Sequence, residues 1–208
     1  MMRRYAGLVA LLMLALGGQA QSAEMASKGG IIKGTITLSG QPTPDAVVSI
    51  QGVPQEIVKA RLAALKSKKA VMNQREMQFT PRVLPVVVGT TVEFPNNDTS
   101  WHNVFSKSEA KDFDLGLYPP GTTRTETFDK PGVVRILCNV HPAMEGFVVA
   151  EEHPFFSGAD RRGNYRIDNV PLGKVRVKVW HPRAGTTDAE VTLVREGQVL
   201  DVNFDLKK

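Results

Sequence analysis

The sequence predicts an all-β chain, two β-sandwiches with one short helix near residues 54–70. Three observations carry that expectation. From residue 29 onward, short runs alternate apolar and polar residues, the period of half-buried strands. Turn-forming clusters such as SGQPTPD, PNND, DKPG and PLGK separate those runs, as they do between the short strands of sandwiches and barrels. A single stretch, QEIVKARLAALKSKKA, instead places Ile57, Val58, Arg61, Leu62 and Leu65 at helical spacing.

Taken in order, the chain opens on Arg3 and Arg4, the apolar run LVALLMLAL, and then GGQAQSAE. A charged start, a short apolar core and small residues make residues 1–23 a secretory signal, with cleavage after Ala20 or Ala23. The run is shorter than the roughly 20 apolar residues that span a bilayer. The expected destination is the periplasm, without stable membrane insertion. Losing Arg3 and Arg4 lowers the formal charge of +5 by two. No basic block interleaved with aromatics marks a nucleic-acid binder. The remaining length of about 185 residues suits one large or two small domains.

Residues 29–52 contain two strand patterns, around IIKGTITL and AVVSI. Residues 53–71 read as a helix or basic linker, with one packed face and a solvated one. In residues 72–151 the β signals are dense. VLPVVVGTTVEFPNND reads as strand, glycine turn, strand, loop; TTRTETFDKPGVVRIL as strand, Pro-Gly turn, strand; GFVVA closes the set. Residues 156–208 repeat the style in RRGNYRIDNV, PLGKVRVKVWH, TDAEVTLV and GQVLDVNFDL.

The chemistry concentrates in CNVHPAM, residues 138–144, which holds the only cysteine. Exported proteins normally pair their cysteines or lack them, so an unpaired thiol needs a reason. Cys138 ends a strand pattern, His141 and Met144 follow at three-residue intervals, and Gly146 leads into the next strand. His102 lies upstream in a WHN loop. Two imidazoles, a thiolate and a weak axial thioether form the donor set of an electron-transfer copper site. Ligation as thiolate also explains why the cysteine persists. Zinc accepts Met poorly; Glu145 would have to serve as its fourth ligand.

The stretch VLPVVVGTTVEFPNND…WHNVF…TFDKPGVVRILCNVHPAMEGFVVA resembles a cupredoxin. Its ligand spacing is similar to the amicyanin and plastocyanin-like bacterial blue copper proteins, some of them labelled methylamine utilization proteins. The resemblance covers residues 72–151 and implies a Greek-key sandwich with His102, Cys138, His141 and Met144 on one type 1 copper. It further implies that Asn103 braces the ligand loops by hydrogen bonds, and that His141 is the partly exposed ligand through which electrons pass. Pro119, Pro120, Pro142, Ala143 and Phe147 would form an apolar patch around it. The segment GADRRGNYRIDNVPLGKVRVKVWHP resembles carboxypeptidase-regulatory-like or transthyretin-like sandwiches, of immunoglobulin-like type, and GTITLSGQPTPDAVVSI resembles the start of the same module. The expectation is a discontinuous domain, residues 29–52 plus 156–208, with the cupredoxin inserted. The alternative pairs residues 29–52 with the cupredoxin sheet.

Function follows as one-electron transfer with a redox protein partner such as a c-type cytochrome, a dehydrogenase or an oxidase. Copper storage, delivery or sensing would use the same residues. An enzyme is disfavoured: of four histidines, only His153 and His181 remain after the site takes two. A metal-free adhesive or sugar-binding sandwich is the other option.

Overall fold

The computed structural model of the chain describes residues 29–65 and 69–207; the segment read as an export signal lies outside the described residues. In the first sheet β1 (Gly30–Leu38) is central. β15 (Asn164–Val170) runs antiparallel to it, with Ile32 opposite Ile167. β18 (Val199–Asp201) and β19 (Phe204–Leu206) pair with it in parallel, and β2 (Gln41–Pro42) folds back on its end. Where β18 gives way to β19, a Cβ on Gly34 would collide with the Val202 carbonyl. Only glycine lets the backbones approach that closely.

The second sheet runs β14 (Phe156–Gly158), β3 (Val47–Gln51), β16 (Gly173–His181), β17 (Gly185–Leu193). The third runs β10 (Lys111–Tyr118), β9 (His102–Ser108), β12 (Gly132–Leu137), β13 (Glu145–Glu151), β7 (Val83–Val87). The fourth runs β11 (Thr123–Phe128), β8 (Thr90–Pro95), β4 (Lys69–Val71). A hairpin of β5 (Asn73–Arg75) and β6 (Gln78–Thr80) stands beside them.

One core, with Ile32, Ile36, Val48, Ile50, Ile167 and Val177, lies between the first and second sheets. Another, with Val92, Phe94, Val104, Phe128, Val134 and Ile136, lies between the third and fourth. A smaller cluster of Val47, Val83, Phe147 and Val149, joined by Val133 and Trp180, sets the second sheet against the third. β13 is therefore covered on both faces, which is why GFVVA reads as a continuous apolar run rather than an alternation.

β1 and β3 do not pair with each other. They belong to facing sheets, and both pair with strands from residues 156–206. The helix α1 (Gln55–Ala63) is shorter than the periodicity suggests. It buries Val58 against the first core, and the Arg61 guanidinium lies 5.8 Å from the Phe155 ring centre. The chain is already in β4 by Lys69, inside the stretch read as helix or linker. Pairing with β8 and burial of Met72, whose amide donates to the Glu93 carbonyl at 2.9 Å, override the local pattern. No helix among the described residues is long and apolar enough to cross a membrane.

Candidate metal centre

Strand register builds the site. β12 and β13 pair antiparallel as far as Leu137 opposite Glu145, so residues 138–144 close a loop with Cys138 and Met144 at its feet. Leu137 also pairs with Phe105 of β9, which fixes the cysteine foot between two strands. The His141 carbonyl accepts from the Met144 amide at 2.8 Å, closing a turn inside the loop. His102 opens β9, opposite Tyr118 on β10.

Three side chains drawn from these elements converge. The Nδ1 atoms of His102 and His141 are 3.0 Å apart, and the Cys138 sulfur lies 3.9 Å and 3.8 Å from them. A point in that triangle's plane about 2.0 Å from both nitrogens is about 2.2 Å from the sulfur, close to ordinary metal–nitrogen and metal–thiolate bond lengths. The donor set and its spacing thus fit one metal ion. Among the described residues this is the one group of at least three His, Cys or acidic side chains close enough to share an ion. His102 is fully buried, Cys138 is buried and His141 is half-buried. Met144 is buried in the same core cluster as Cys138.

Asp98 sets the tautomer of His102. Its Oδ2 lies 2.9 Å from His102 Nε2. The Met77 amide donates to the same carboxylate, and this, helped by the bonds from His102 and the Thr99 amide, holds the acid down at about 2 against the opposing effect of burial. Asp98 is therefore an acceptor at ordinary pH. His102 Nε2 must donate to it, and Nδ1 presents a lone pair to the triangle.

Asn96 ties the surrounding loops together. Its backbone donates to the Thr122 carbonyl and accepts from Gly121, and its side chain donates to the carbonyls of Ser100 and Tyr118. Tyr118, wholly buried, donates to the Phe94 carbonyl at 3.0 Å and is pushed up to about 12, chiefly by burial.

Asn103 follows His102, but its Nδ2 donates to Asp114 at 2.7 Å, bracing the β9–β10 hairpin, while its Oδ1 is buried without a partner. Glu145, the alternative zinc ligand, stands outside the triangle; its oxygens accept from Arg135 at 2.6 Å and Arg82 at 2.9 Å. Phe147 does not join a surface patch. It is buried between the second and third sheets because β13 is covered on both faces. Pro120, Pro142 and Ala143 are exposed and Pro119 is half-buried; Trp101, Leu117 and Val140 are further exposed apolar residues of the loops and strand ends at the site. Sequence reasoning missed Asp98 and Asn96, although an acid four positions before a candidate ligand histidine, in an Asn/Asp-rich loop, is a usable signal.

Residues 66–151 match the family of copper binding proteins described as plastocyanin/azurin. A search of curated proteins returned no match. Among solved structures, a purple cupredoxin from Nitrosopumilus maritimus is 26% identical, covering 39% of this chain and 99% of its own, with a TM-score of 0.37. A reduced amicyanin variant is 26% identical over 43% of this chain and 88% of its own, with a TM-score of 0.38. A copper-containing nitrite reductase from Thermus scotoductus SA-01 is 28% identical over 44% of this chain, with a TM-score of 0.40; the match spans 24% of that enzyme. Residues 66–151 therefore form a cupredoxin domain of the plastocyanin/azurin family, and copper is its cofactor.

Proposed function

We propose that the chain is a periplasmic one-electron carrier with a type 1 copper held by His102, Cys138, His141 and an axial Met144. The supporting observation is the triangle of two Nδ1 atoms and one sulfur, with sides of 3.0, 3.8 and 3.9 Å. Copper supplies a Cu(I)/Cu(II) couple, and a thiolate with two imidazoles and a weak thioether suits both states. The chain's part is to keep its donors still. Cys138 is anchored at a strand end, His102 is locked by Asp98, and Met144 is packed in the core. Donors that cannot relax leave little rearrangement to accompany a change of charge.

His141 is the half-buried member and the route to the surface. The exposed Trp101, Leu117, Val140 and Pro142 supply apolar area. Patches of this kind suit brief docking to a redox protein such as a c-type cytochrome, a dehydrogenase or an oxidase, since such encounters bury little surface. His153 and His181 are buried apart from the site, and the chain is read as a carrier rather than an enzyme. Residues 29–52 and 156–208 are proposed to form one supporting module, in line with the pairing of β1 and β3.

Visible and paramagnetic-resonance spectra of the copper-loaded chain test the reading, repeated on Cys138→Ser. An intense thiolate-to-copper band with reversible reduction is expected, and its loss in the variant. A wild type that takes up Cu(I), exchanges it readily and shows no such band after oxidation would be a storage or delivery protein instead.

A further inference from the structure

Outside the triangle, the strongest polar constellation joins the ligand loop to the other sandwich. Glu145 follows Met144 directly and starts β13. Arg82, just before β7, donates from one guanidinium nitrogen to Glu145 Oε2 at 2.9 Å and from the other to Asp45 Oδ2 at 2.6 Å. Asp45 lies between β2 and β3, in the half of the molecule built on the first and second sheets. Its neighbourhood is pinned: Thr43 lies 3.0 Å from His181 Nε2, and Val47 is in the cluster between the second and third sheets. The Arg82 guanidinium also covers the Phe147 ring at 5.5 Å, and its carbonyl accepts from the Phe147 amide at 2.8 Å.

The side chains of Asp45, Arg82 and Glu145 are 22%, 37% and 24% exposed. They are partly withdrawn from water, where charge-assisted bonds count for more than open surface pairs. The second arm to Glu145, from Arg135, is 59% exposed and correspondingly weaker. The two feet of the ligand loop are thus held differently. Both lead into strands paired on both sides, but the Met144 foot is also steadied through Glu145 by a residue whose other hand grips a different sandwich.

We propose that Arg82 is a positioning residue for the copper site, tying the Met144 end of the ligand loop to the second sandwich through Asp45. The inference rests on the copper ligation proposed above. It gives the second sandwich a defined role, as the anchor that sets metal affinity and site geometry from outside the cupredoxin domain. The planar fork matters, because it reaches two carboxylates in fixed directions and a lysine ammonium is a single point charge.

The test uses the full chain with Arg82→Gln, Arg82→Lys, Asp45→Ala and Glu145→Gln, with Lys33→Gln as a control on a remote, exposed pair. Copper affinity is measured by competition with a chromophoric chelator, and site geometry by the paramagnetic-resonance spectrum of the oxidised form. Arg82→Gln should weaken copper binding by roughly 10-fold, the lower range for supporting partners of metal ligands, and alter the spectrum. Asp45→Ala should move both readouts the same way, Arg82→Lys should not restore them, and Lys33→Gln should leave them alone. Asp45→Ala with Glu145→Gln should be less than additive, since both act through Arg82. Unchanged affinity and spectra in Arg82→Gln and Asp45→Ala, with only the melting temperature lowered, would reduce the network to an ordinary stabilising ion pair. Should Arg82→Gln not fold, Asp45→Ala, outside the cupredoxin sheets, decides alone. A wild type that binds no copper overturns the metal reading itself, an outcome distinct from silent variants of a copper-binding wild type.

Discussion

His181 and His102 are both wholly buried imidazoles that follow a tryptophan, and their hydrogen bonds separate them. His181 Nδ1 accepts from the Arg183 amide at 3.1 Å, so Nε2 carries the proton and donates to Thr43 Oγ1 at 3.0 Å. Both nitrogens are used, and the ring is satisfied as the neutral form. Burial holds its pKa below the usual histidine value, reinforced by Arg183 and Arg82 and opposed by Asp45. The sign follows: the unfolded chain takes up this proton at a higher pH than the folded one. Stability is therefore lost as pH falls below about 6.5 toward the folded pKa. The melting temperature of the metal-free chain should drop between about pH 7 and pH 5, and His181→Gln should flatten that drop; equal slopes for the two proteins would count against it. The sequence offers the same Trp-His pair at positions 101–102 and 180–181. What marked His102 as a candidate ligand was the CNVHPAM loop elsewhere; its partner Asp98 is only four positions away, whereas Thr43, the partner of His181, comes into range only through folding.

At the level of elements, β13 carries the closest packing near the site. A Cβ on Gly146 would lie 3.0 Å from Phe79 Cβ, 3.2 Å from the Arg82 carbonyl and 3.3 Å from the Met72 sulfur. Backbone and a branch-point carbon yield little, so Gly146→Ala should cost about 1–3 kcal/mol, the usual range for overpacking. Denaturant unfolding of the metal-free chain measures it; a variant as stable as wild type would mean the hairpin of β5 and β6 gives way freely. The long strands were legible because alternation and turn residues agreed, as in β16, whose KVRVKVW faces the core with Val175, Val177 and Val179. β4 was not, and neither was the break that divides GQVLDVNFDL into β18 and β19. Three residues carry too little pattern, and each strand exists because a neighbour supplies hydrogen bonds, β8 for the first and β1 for the other two.

Across the whole molecule, the cluster at Phe147 and the arginine bridge bind two sandwiches that each own a core. Phe147 meets Trp180 edge-on at 5.4 Å and lies under Arg82. The metal-free chain should melt as one calorimetric transition, and Phe147→Ala, at a cost of about 3 kcal/mol, should split it in two. Two transitions already in wild type would show that the contact does not couple the halves. Nothing in the residues before folding indicated that VLPVV and VVSI would lie against each other, because continuous apolar runs announce burial without naming the partner.

The topology also imposes a timetable. β4 to β13 find all their strand partners among themselves, so that portion can pair before residues 156–206 take part. β1 waits: the Thr37 hydroxyl donates to the Asp205 carboxylate, 168 positions further on. One edge of this early-made apolar strand thus stays unpaired until residues 199–206 are in place, and a copy cut short near Phe204 would be left with a sticky edge for others to seize.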